Sequence, residues 1–153
     1  MSVHEPETAG GPLRGVRVLD LTQAWAGPMA ARSLAYLGAE VIKIESPRRI
    51  DSWRGAYRGG SPERFPDGEP GDKPYNRNAL FNTQNHDKMS LSLDLKVDRA
   101  REVFFGLCRV SDVVVANFAP GVLDRLGIGY EVLRDVNAQI IVAEMPAFGV
   151  GAP

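Results

Sequence analysis

The side chains most often used in catalysis are scarce in this sequence of 153 residues, which has one cysteine, Cys108, and two histidines, His4 and His86. This set allows no internal disulfide, and it does not supply the usual four zinc ligands unless carboxylates dominate. Residues 22–27 (TQAWAG) lack the G-x-G-x-x-G dinucleotide fingerprint, and the sequence contains neither a Walker A motif nor a G-x-S-x-G elbow. The residue types therefore predict no metal site and match no familiar catalytic motif.

Small or polar residues follow three of the apolar runs, and these segments are the candidates for binding a ligand. They are residues 22–27, the stretch that begins at Ser46, and residues 117–121. In open α/β sheets, ligands bind outside the carboxyl ends of the strands. The three segments are therefore predicted to face a ligand.

The periodicity of apolar residues predicts the elements that position these segments. Gly38 is predicted to end the first helix, and Asp98 to cap the second. Residues 46–82 are rich in Gly, Pro, Arg and Asp and are predicted to be irregular. The alternation of elements predicts an α/β fold with a doubly wound, mainly parallel sheet. Strands are predicted at 16–21, 39–45, 89–95, 112–118 and 140–145, and helices at 28–37, 98–109, 121–126 and 130–136.

The overall charge limits the partners that the chain can attract. It has 18 basic and 19 acidic side chains, a net charge of −1, and 44% hydrophobic residues. This is typical of a soluble globular domain and predicts no binding to nucleic acid or to a membrane. Residues 1–11 are predicted to be a disordered tail without signal-peptide character, and residues 12–153 to form the folded part. Together with the lone cysteine, these features favour the cytoplasm.

Four segments, in order, carry a resemblance to a known family. They are GVRVLDLTQAWAGPMAARSLAYLGAEVIKIE, NHDKMSLSLDLK, SDVVVANFAPGVLDRLGIGYEVL and NAQIIVAEMPAFGVGAP. Together they resemble the N-terminal portion of class III CoA-transferases, the carnitine dehydratase and bile-acid-inducible type (CaiB/BaiF), over residues 12–153. The resemblance implies a Rossmann-like large domain, coenzyme A or acyl-CoA and a carboxylic acid as substrates, and a dimer of interlocked chains.

The resemblance also implies a reaction. An aspartate of the family attacks an acyl-CoA thioester to give a mixed anhydride and CoA thiolate, and exchange with an incoming acid moves CoA to a new carboxylate. This aspartate is implied to lie beyond residue 153, and none of Asp20, Asp51, Asp94 and Asp124 occupies its position. The chain is therefore expected to contain no catalytic residue and to be inactive alone.

The positions that the resemblance implies for CoA binding surround the three candidate segments. Ser46 stands where relatives often have a basic residue, and Arg48 or Arg49 could supply that charge by forking onto a phosphate. Trp25 stands where relatives often have a smaller or polar residue, and it either packs in the core, stacks on a ligand or lines an acyl pocket. The twelve implied positions are Trp25, Ala26, Ser46, Arg48, Leu93, Asp94, Leu95, Lys96, Asn117, Phe118, Ala119 and Arg125.

Three functions stay open at this point. The chain is the front part of a CoA-transferase, completed by the rest of the enzyme or by a second copy; or it belongs to an α-methylacyl-CoA racemase of the same superfamily; or it is a non-catalytic CoA-binding or assembly module. Because the residues that distinguish the first two are implied to lie outside this sequence, the residues present do not separate them.

Overall fold

A computed structural model of the protein describes residues 10–55 and 61–149. Residues 1–9 of the predicted tail, including His4, lie outside the described residues. Three short 3-10 helices follow the second strand, at Ser52–Arg54, Pro62–Arg64 and Pro74–Asn76. The other elements are, in chain order, β1 (Arg17–Asp20), α1 (Ala26–Tyr36), β2 (Glu40–Glu45), α2 (Ala79–Gln84), β3 (Lys88–Ser92), α3 (Asp98–Cys108), β4 (Val113–Ala116), α4 (Val122–Arg125), α5 (Tyr130–Val136) and β5 (Ile141–Glu144).

The five strands of the described residues form one parallel sheet in the order β3-β2-β1-β4-β5. The chain moves outward from β1 through β2 to β3, and then continues on the other side of β1 with β4 and β5. The winding direction therefore changes between β1 and β4, which makes this the topological switch point where open α/β sheets bind ligands. The predicted fold class, a doubly wound parallel α/β sheet, is confirmed.

Alternate strand residues form one hydrophobic core on each face of the sheet. Val18 and Val41 belong to the core beneath α1. Leu19 and Val114 belong to the opposite core, where Phe104 of α3 packs. These five side chains are at most 1% exposed, and each contributes about 1.5–3 kcal/mol to stability by leaving water. The helices α1 and α3 have 11 residues each, and no helix in the described residues has the length and apolarity needed to cross a bilayer.

The ends of α1 follow the sequence signals. Pro28 lies in the first turn of the helix, as predicted, although the helix begins earlier, at Ala26. Gly38 ends it with a positive φ of 98°, and its backbone N–H donates to the carbonyl of Ala35 at 2.8 Å. A left-handed residue at this position favours glycine, so the predicted C-terminal cap is confirmed.

The prediction that residues 46–82 are irregular is wrong in part. This stretch contains the three 3-10 helices and the start of α2. The side chain of Asn78 caps α2 by accepting the N–H of Leu80 at 3.1 Å, and Phe81 anchors the helix by being buried. An asparagine before Ala-Leu-Phe is a capping signal, but a helix of six residues is too short to show apolar periodicity. Residues 56–60 lie outside the described residues.

Two predicted boundaries also differ from the structure. Asp98 does not cap α3: it is the first helical residue, and it accepts a hydrogen bond from Arg101 at 2.5 Å. Strand β3 runs from Lys88 to Ser92 rather than over residues 89–95. The N–H of Leu93 still donates to the carbonyl of Glu45 at 2.8 Å, after which the chain leaves the sheet. Residues 93–96 are therefore a loop at the carboxyl edge.

We expect Cys108 to be unreactive in the folded protein. Its side chain is fully buried, and burial raises the pKa of the thiol to about 12. Because the thiolate is the reactive form, iodoacetamide at about pH 8 should leave the native protein unmodified and alkylate it fully in guanidinium chloride, as read by intact mass. The variant Val110→Cys, at a position 58% exposed, provides the positive control. Rapid alkylation of native Cys108 would contradict the expected burial.

Candidate functional site

A cavity of about 730 Å³ lies at the carboxyl edge of the sheet. The segments that follow β1, β2, β3 and β4 form its walls, so the cavity includes the switch point between β1 and β4. It brings together most of the positions implied for CoA, although their role in binding stays a prediction. Nine of the twelve line it: Ser46, Arg48, Leu93, Asp94, Leu95, Lys96, Asn117, Phe118 and Ala119.

A basic recess of about 440 Å³ adjoins this cavity. The recess is defined by Arg49, Lys96, Arg101 and Arg125, and it shares Arg49 and Lys96 with the cavity. It therefore contains the tenth implied position, Arg125. Two apolar side chains complete its lining, which includes no acidic residue. Four cations at one place attract an anion locally, although the chain as a whole is almost neutral.

The last two implied positions, Trp25 and Ala26, do not line the cavity. The preceding turn residues, Gln23 and Ala24, line it instead. Trp25 is 59% exposed, so the interpretation that it packs in the core is wrong. Its ring lies 5.3 Å from the ring of Trp53, centroid to centroid, with the two planes tilted by 59°.

Sequence reasoning missed several residues of the cavity. Gln23 and Ala24 belong to residues 22–27, a segment that was predicted to face a ligand, so the sequence marked the segment but not these two positions. Ser52 lies in a stretch without periodicity, and nothing in the sequence marks it. Arg101 of the recess lies in α3, and a single arginine within a helix normally indicates an ordinary exposed charge. The remaining missed residues are apolar side chains: Leu21, Ile44, Val122 and Leu126.

A buried ion pair supports the turn after β1. Lys88 Nζ lies 2.8 Å from Asp20 Oδ2, and the two side chains are 1% and 0% exposed. The other oxygen of Asp20 accepts the backbone N–H of Thr22 at 2.9 Å and its hydroxyl at 2.5 Å. Lys88 also donates to the carbonyl of Pro28 and to Asn85 Oδ1, both at 2.9 Å. Burial lowers the pKa of Lys88, and the charge of Asp20 opposes that shift.

Asp51 holds the same turn from the segment that follows β2. This carboxylate is fully buried. It accepts the N–H of Ala24 at 3.0 and 3.1 Å to its two oxygens, and the N–H of Trp53 at 2.9 Å. Lys43 Nζ lies 3.6 Å from Asp51 and donates a hydrogen bond to the carbonyl of Thr22. Asp51 and Lys43 therefore tie the two loops together beside the cavity.

The backbone of this turn is close to its steric limits. Ala24 has φ of 63°, a left-handed conformation that costs a non-glycine residue about 1–2 kcal/mol. Gly27 has no room for a side chain, because a Cβ there would overlap the side chain of Thr22. The hydrogen bonds from Ala24 to Asp51 oppose this strain. Strained backbone of this kind is concentrated at functional sites.

A carboxylate–guanidinium pair folds the loop after β2 onto the sheet. Arg54 donates through Nε at 2.9 and 3.1 Å and through Nη2 at 2.6 Å to the carboxylate of Glu45. Its guanidinium also lies 3.6 Å from the ring centroid of Phe81 in α2. Such bidentate pairs fix orientation as well as distance. The pair thereby sets the path of the loop that carries Ser46 and Ser52 into the cavity wall.

Asn117 bridges the switch point. Its Oδ1 accepts the N–H of Gln23 at 2.8 Å, and its Nδ2 donates to the carbonyl of Gln23 at 2.7 Å. Because Asn117 follows β4 and Gln23 follows β1, these two bonds fix the spacing of the loops on either side of the switch point.

Asp94 has one carboxylate oxygen with unused hydrogen-bonding capacity. Its Oδ1 accepts the N–H of Lys96 at 3.2 Å. Its buried Oδ2 accepts no hydrogen bond from the described residues, although Arg48 Nε lies 3.3 Å away. Because the Arg48 side chain is 81% exposed, we regard this contact as a screened charge attraction rather than a directed bond. The Asp94 carboxylate at the cavity wall is therefore only partly satisfied by hydrogen bonds from the described residues.

The sequence matches one protein family over almost its whole length. A model of CoA-transferase family III matches residues 13–153. The formyl-CoA:oxalate CoA-transferase of Afipia carboxidovorans is 40% identical over 139 residues, which cover 91% of this chain and 30% of that protein. The formyl-CoA:oxalate CoA-transferase of Streptomyces avermitilis is 39% identical, with 91% and 31% covered. This chain thus spans less than a third of the length of these relatives.

Solved structures give the same result. A CaiB/BaiF family protein from Brucella suis superposes with a TM-score of 0.78 at 36% identity, covering 94% of this chain and 35% of that one. A hypothetical protein from Mycobacterium tuberculosis superposes with a TM-score of 0.77 at 35% identity, covering 94% and 36%. The resemblance inferred from the four sequence segments is confirmed.

We expect the Asp20–Lys88 pair to be strongly coupled. Lys88→Met leaves a buried carboxylate without its partner and should lower the free energy of unfolding by about 3–5 kcal/mol. The double variant with Asp20→Asn should lose clearly less than the sum of the two single losses, as measured by guanidinium chloride denaturation.

An exposed ion pair provides the control for this cycle. Arg99 and Glu102 are 86% and 61% exposed, so Arg99→Ala should change the free energy of unfolding by no more than about 0.5 kcal/mol. Additive losses at Asp20 and Lys88 would show that the buried pair is not energetically coupled.

Proposed function

The chain belongs to CoA-transferase family III, and we propose that it forms the CoA-binding portion of an acyl-CoA:carboxylate CoA-transferase. The observation that carries this proposal is the cavity at the switch point, which joins a largely apolar wall to the basic recess. Coenzyme A has matching chemistry, because it combines a phosphorylated nucleotide with an uncharged pantetheine arm. The relatives described above are named as CoA-transferases, which favours this function over that of a racemase.

The basic recess is the proposed phosphate subsite. Arg125 and Arg49 offer guanidinium groups that fork onto phosphate oxygens, and Lys96 offers a point charge. Arg101 also donates to the carbonyl of Leu95 at 3.1 Å, so it fixes the loop that carries Lys96. Arg49 provides the positive charge that relatives often have at the position of Ser46.

The loop after β3 is the proposed nucleoside subsite. Leu93 and Leu95 supply apolar surface, since Leu95 is buried and Leu93 partly buried. The carboxylate of Asp94, which lines the cavity, is the proposed acceptor for a ribose hydroxyl or for the adenine amino group. The apolar floor and the loop after β4, with Phe118 and Ala119, receive the pantetheine arm.

The proposed reaction uses a carboxylate nucleophile. A carboxylate oxygen attacks the thioester carbonyl, the C–S bond breaks, and the electron pair leaves with the CoA thiolate, so that a mixed anhydride remains. CoA thiolate attacks the nucleophile's own carbonyl in this anhydride, which releases the first acid as a carboxylate and leaves an enzyme–CoA thioester. The second acid attacks this thioester to give a new anhydride and CoA thiolate, and the thiolate then attacks the carbonyl of the second acid and frees the nucleophile. Asp20 and Asp51 do not take this role, because both are fully buried and paired with lysines. The residues present bind CoA and orient the thioester toward the turn after β1.

The rest of the transferase, or a second copy of this chain, is the proposed protein partner. Strand β5 lies at an edge of the sheet, and Ile141 on it is 60% exposed. Val110 and Phe148 expose 58% and 86% of their surface. Open strand edges and apolar patches of this kind are usually covered in a complete assembly.

We expect CoA binding to depend on the basic recess. Arg125→Ala and Lys96→Ala should each weaken CoA binding about tenfold by removing a charge-assisted phosphate contact. Neither substitution should change the binding of pantetheine, which lacks the nucleotide. Titration calorimetry or NMR measures both ligands, with CoA affinity for this chain expected to be weaker than low micromolar. Arg134→Ala on α5 is the control, and equal CoA affinity in Arg125→Ala, Lys96→Ala and the parent would argue against the site.

We expect no CoA transfer by this chain alone. Purified protein incubated with formyl-CoA and oxalate should form no oxalyl-CoA by liquid chromatography, since the residues present offer no free carboxylate at the turn after β1. One of the intact relatives serves as the active control. Product formed in proportion to the concentration of this chain would refute the proposed division of roles.

A further inference from the structure

Two aromatic side chains form a preorganised pair beside the cavity. The protein has only two tryptophans, and their rings lie 5.3 Å apart with a tilt of 59°. This tilted arrangement has a centroid distance within the range of favourable aromatic pairs. Trp25 nevertheless keeps 59% of its surface in solvent. The pair therefore presents a large apolar face that the described residues leave uncovered.

One buried carboxylate holds both members of the pair. Asp51 accepts the N–H of Trp53 at 2.9 Å and the N–H of Ala24, which precedes Trp25. Ala24 adopts its left-handed conformation at this point. Asp51 thus fixes the backbone next to both indoles, at a strained turn of the kind that is concentrated at functional sites.

The segments that carry the two indoles form part of the cavity wall but not of the phosphate subsite. Ala24 and Ser52, which directly precede Trp25 and Trp53, line the cavity but not the basic recess. Arg49 and Lys96 line both. A ligand anchored by its phosphates in the recess and extended across the cavity therefore reaches the segments that carry the two indoles with its opposite end.

We propose that Trp25 and Trp53 form an acyl-binding platform that selects an apolar, ring-bearing acyl group on CoA. The proposal rests on the proposed function, because it assumes that CoA occupies the cavity. A ring stacks on the exposed indole and removes apolar surface from water, whereas a formyl or an acetyl group is too small to cover it. One stacked ring should strengthen binding about tenfold. The acyl group selected by this chain thus differs in class from the one-carbon formyl group named for the relatives described above.

The two indoles provide the readout. Each tryptophan gives one side-chain N–H signal in a ¹⁵N–¹H NMR spectrum, so two signals report directly on the pair. CoA, acetyl-CoA and phenylacetyl-CoA are titrated into the protein; the last two differ by a single phenyl group. We expect phenylacetyl-CoA to bind about tenfold more tightly than acetyl-CoA and to shift both indole signals. Acetyl-CoA should leave them almost unchanged.

Three variants locate the effect. Trp25→Ala should reduce the ratio of the affinities for phenylacetyl-CoA and acetyl-CoA from about ten to about one, and Trp25→Phe should keep most of the preference. Tyr36→Ala is the matched control, because Tyr36 lies at the other end of α1 and is also 59% exposed. It should retain the full preference. Since Trp25 is exposed, its replacement should leave the fold intact, which the rest of the NMR spectrum verifies.

The outcomes separate the two proposals. Equal affinities for acetyl-CoA and phenylacetyl-CoA overturn the acyl platform and leave the CoA site in place. The same follows if the phenyl preference survives in Trp25→Ala. Absence of CoA binding at any concentration tested overturns the proposed function and, with it, the platform that depends on it.

Discussion

The carboxyl edge of the sheet depends on charged side chains that are buried or nearly so. Each of the pairs Asp20–Lys88, Lys43–Asp51 and Glu45–Arg54 has one member at, or two residues before, the end of β1 or β2. Removing charges from water costs several kcal/mol per ion, so pairs of this kind add little net stability. The pairs instead fix geometry. They hold the loops after β1 and β2 in place, and Ala24 in the turn after β1 keeps a left-handed conformation that alanine disfavours. The cavity has a defined shape because its walls are held in this way.

The basic side chains around the cavity fall into two groups: those in buried ion pairs and those that are open to a ligand. The basic side chains near the ligand are loop and helix residues that do not belong to the buried pairs. Arg49, Lys96 and Arg125 are therefore available to an anion, whereas Lys43 and Lys88 are committed to structure. A chain with a net charge of −1 can thus attract a polyanion locally, at the basic recess. Local concentration of charge, rather than the global field, sets where such a ligand enters.

The sequence predicted the sheet well because its strands and longer helices have clear periodicity. It predicted most of the cavity wall because the loops after parallel strands must lie at one edge. Other features depend on contacts between residues far apart in the chain. The pairing of Asp51 with Lys43, the exposure of Trp25 and the contact of Arg54 with Phe81 have no local signature. Helix α2 was missed for a different reason, because six residues are too few to reveal a pattern against a background rich in glycine and proline.

The order of the strands has a consequence for synthesis on the ribosome. The central strand, β1, is made first, and its two neighbours arrive at very different times. Arg17 meets Glu40, 23 residues later, on one side, and Asp112, 95 residues later, on the other. At about 5–20 residues per second, the second neighbour follows after roughly 5–20 seconds. During that interval, one edge of the central strand has no partner from its own chain, and foreign strands can pair with it. Parallel sheets of such high contact order fold slowly, so the nascent chain, rather than the finished domain, is the form most in need of protection from aggregation.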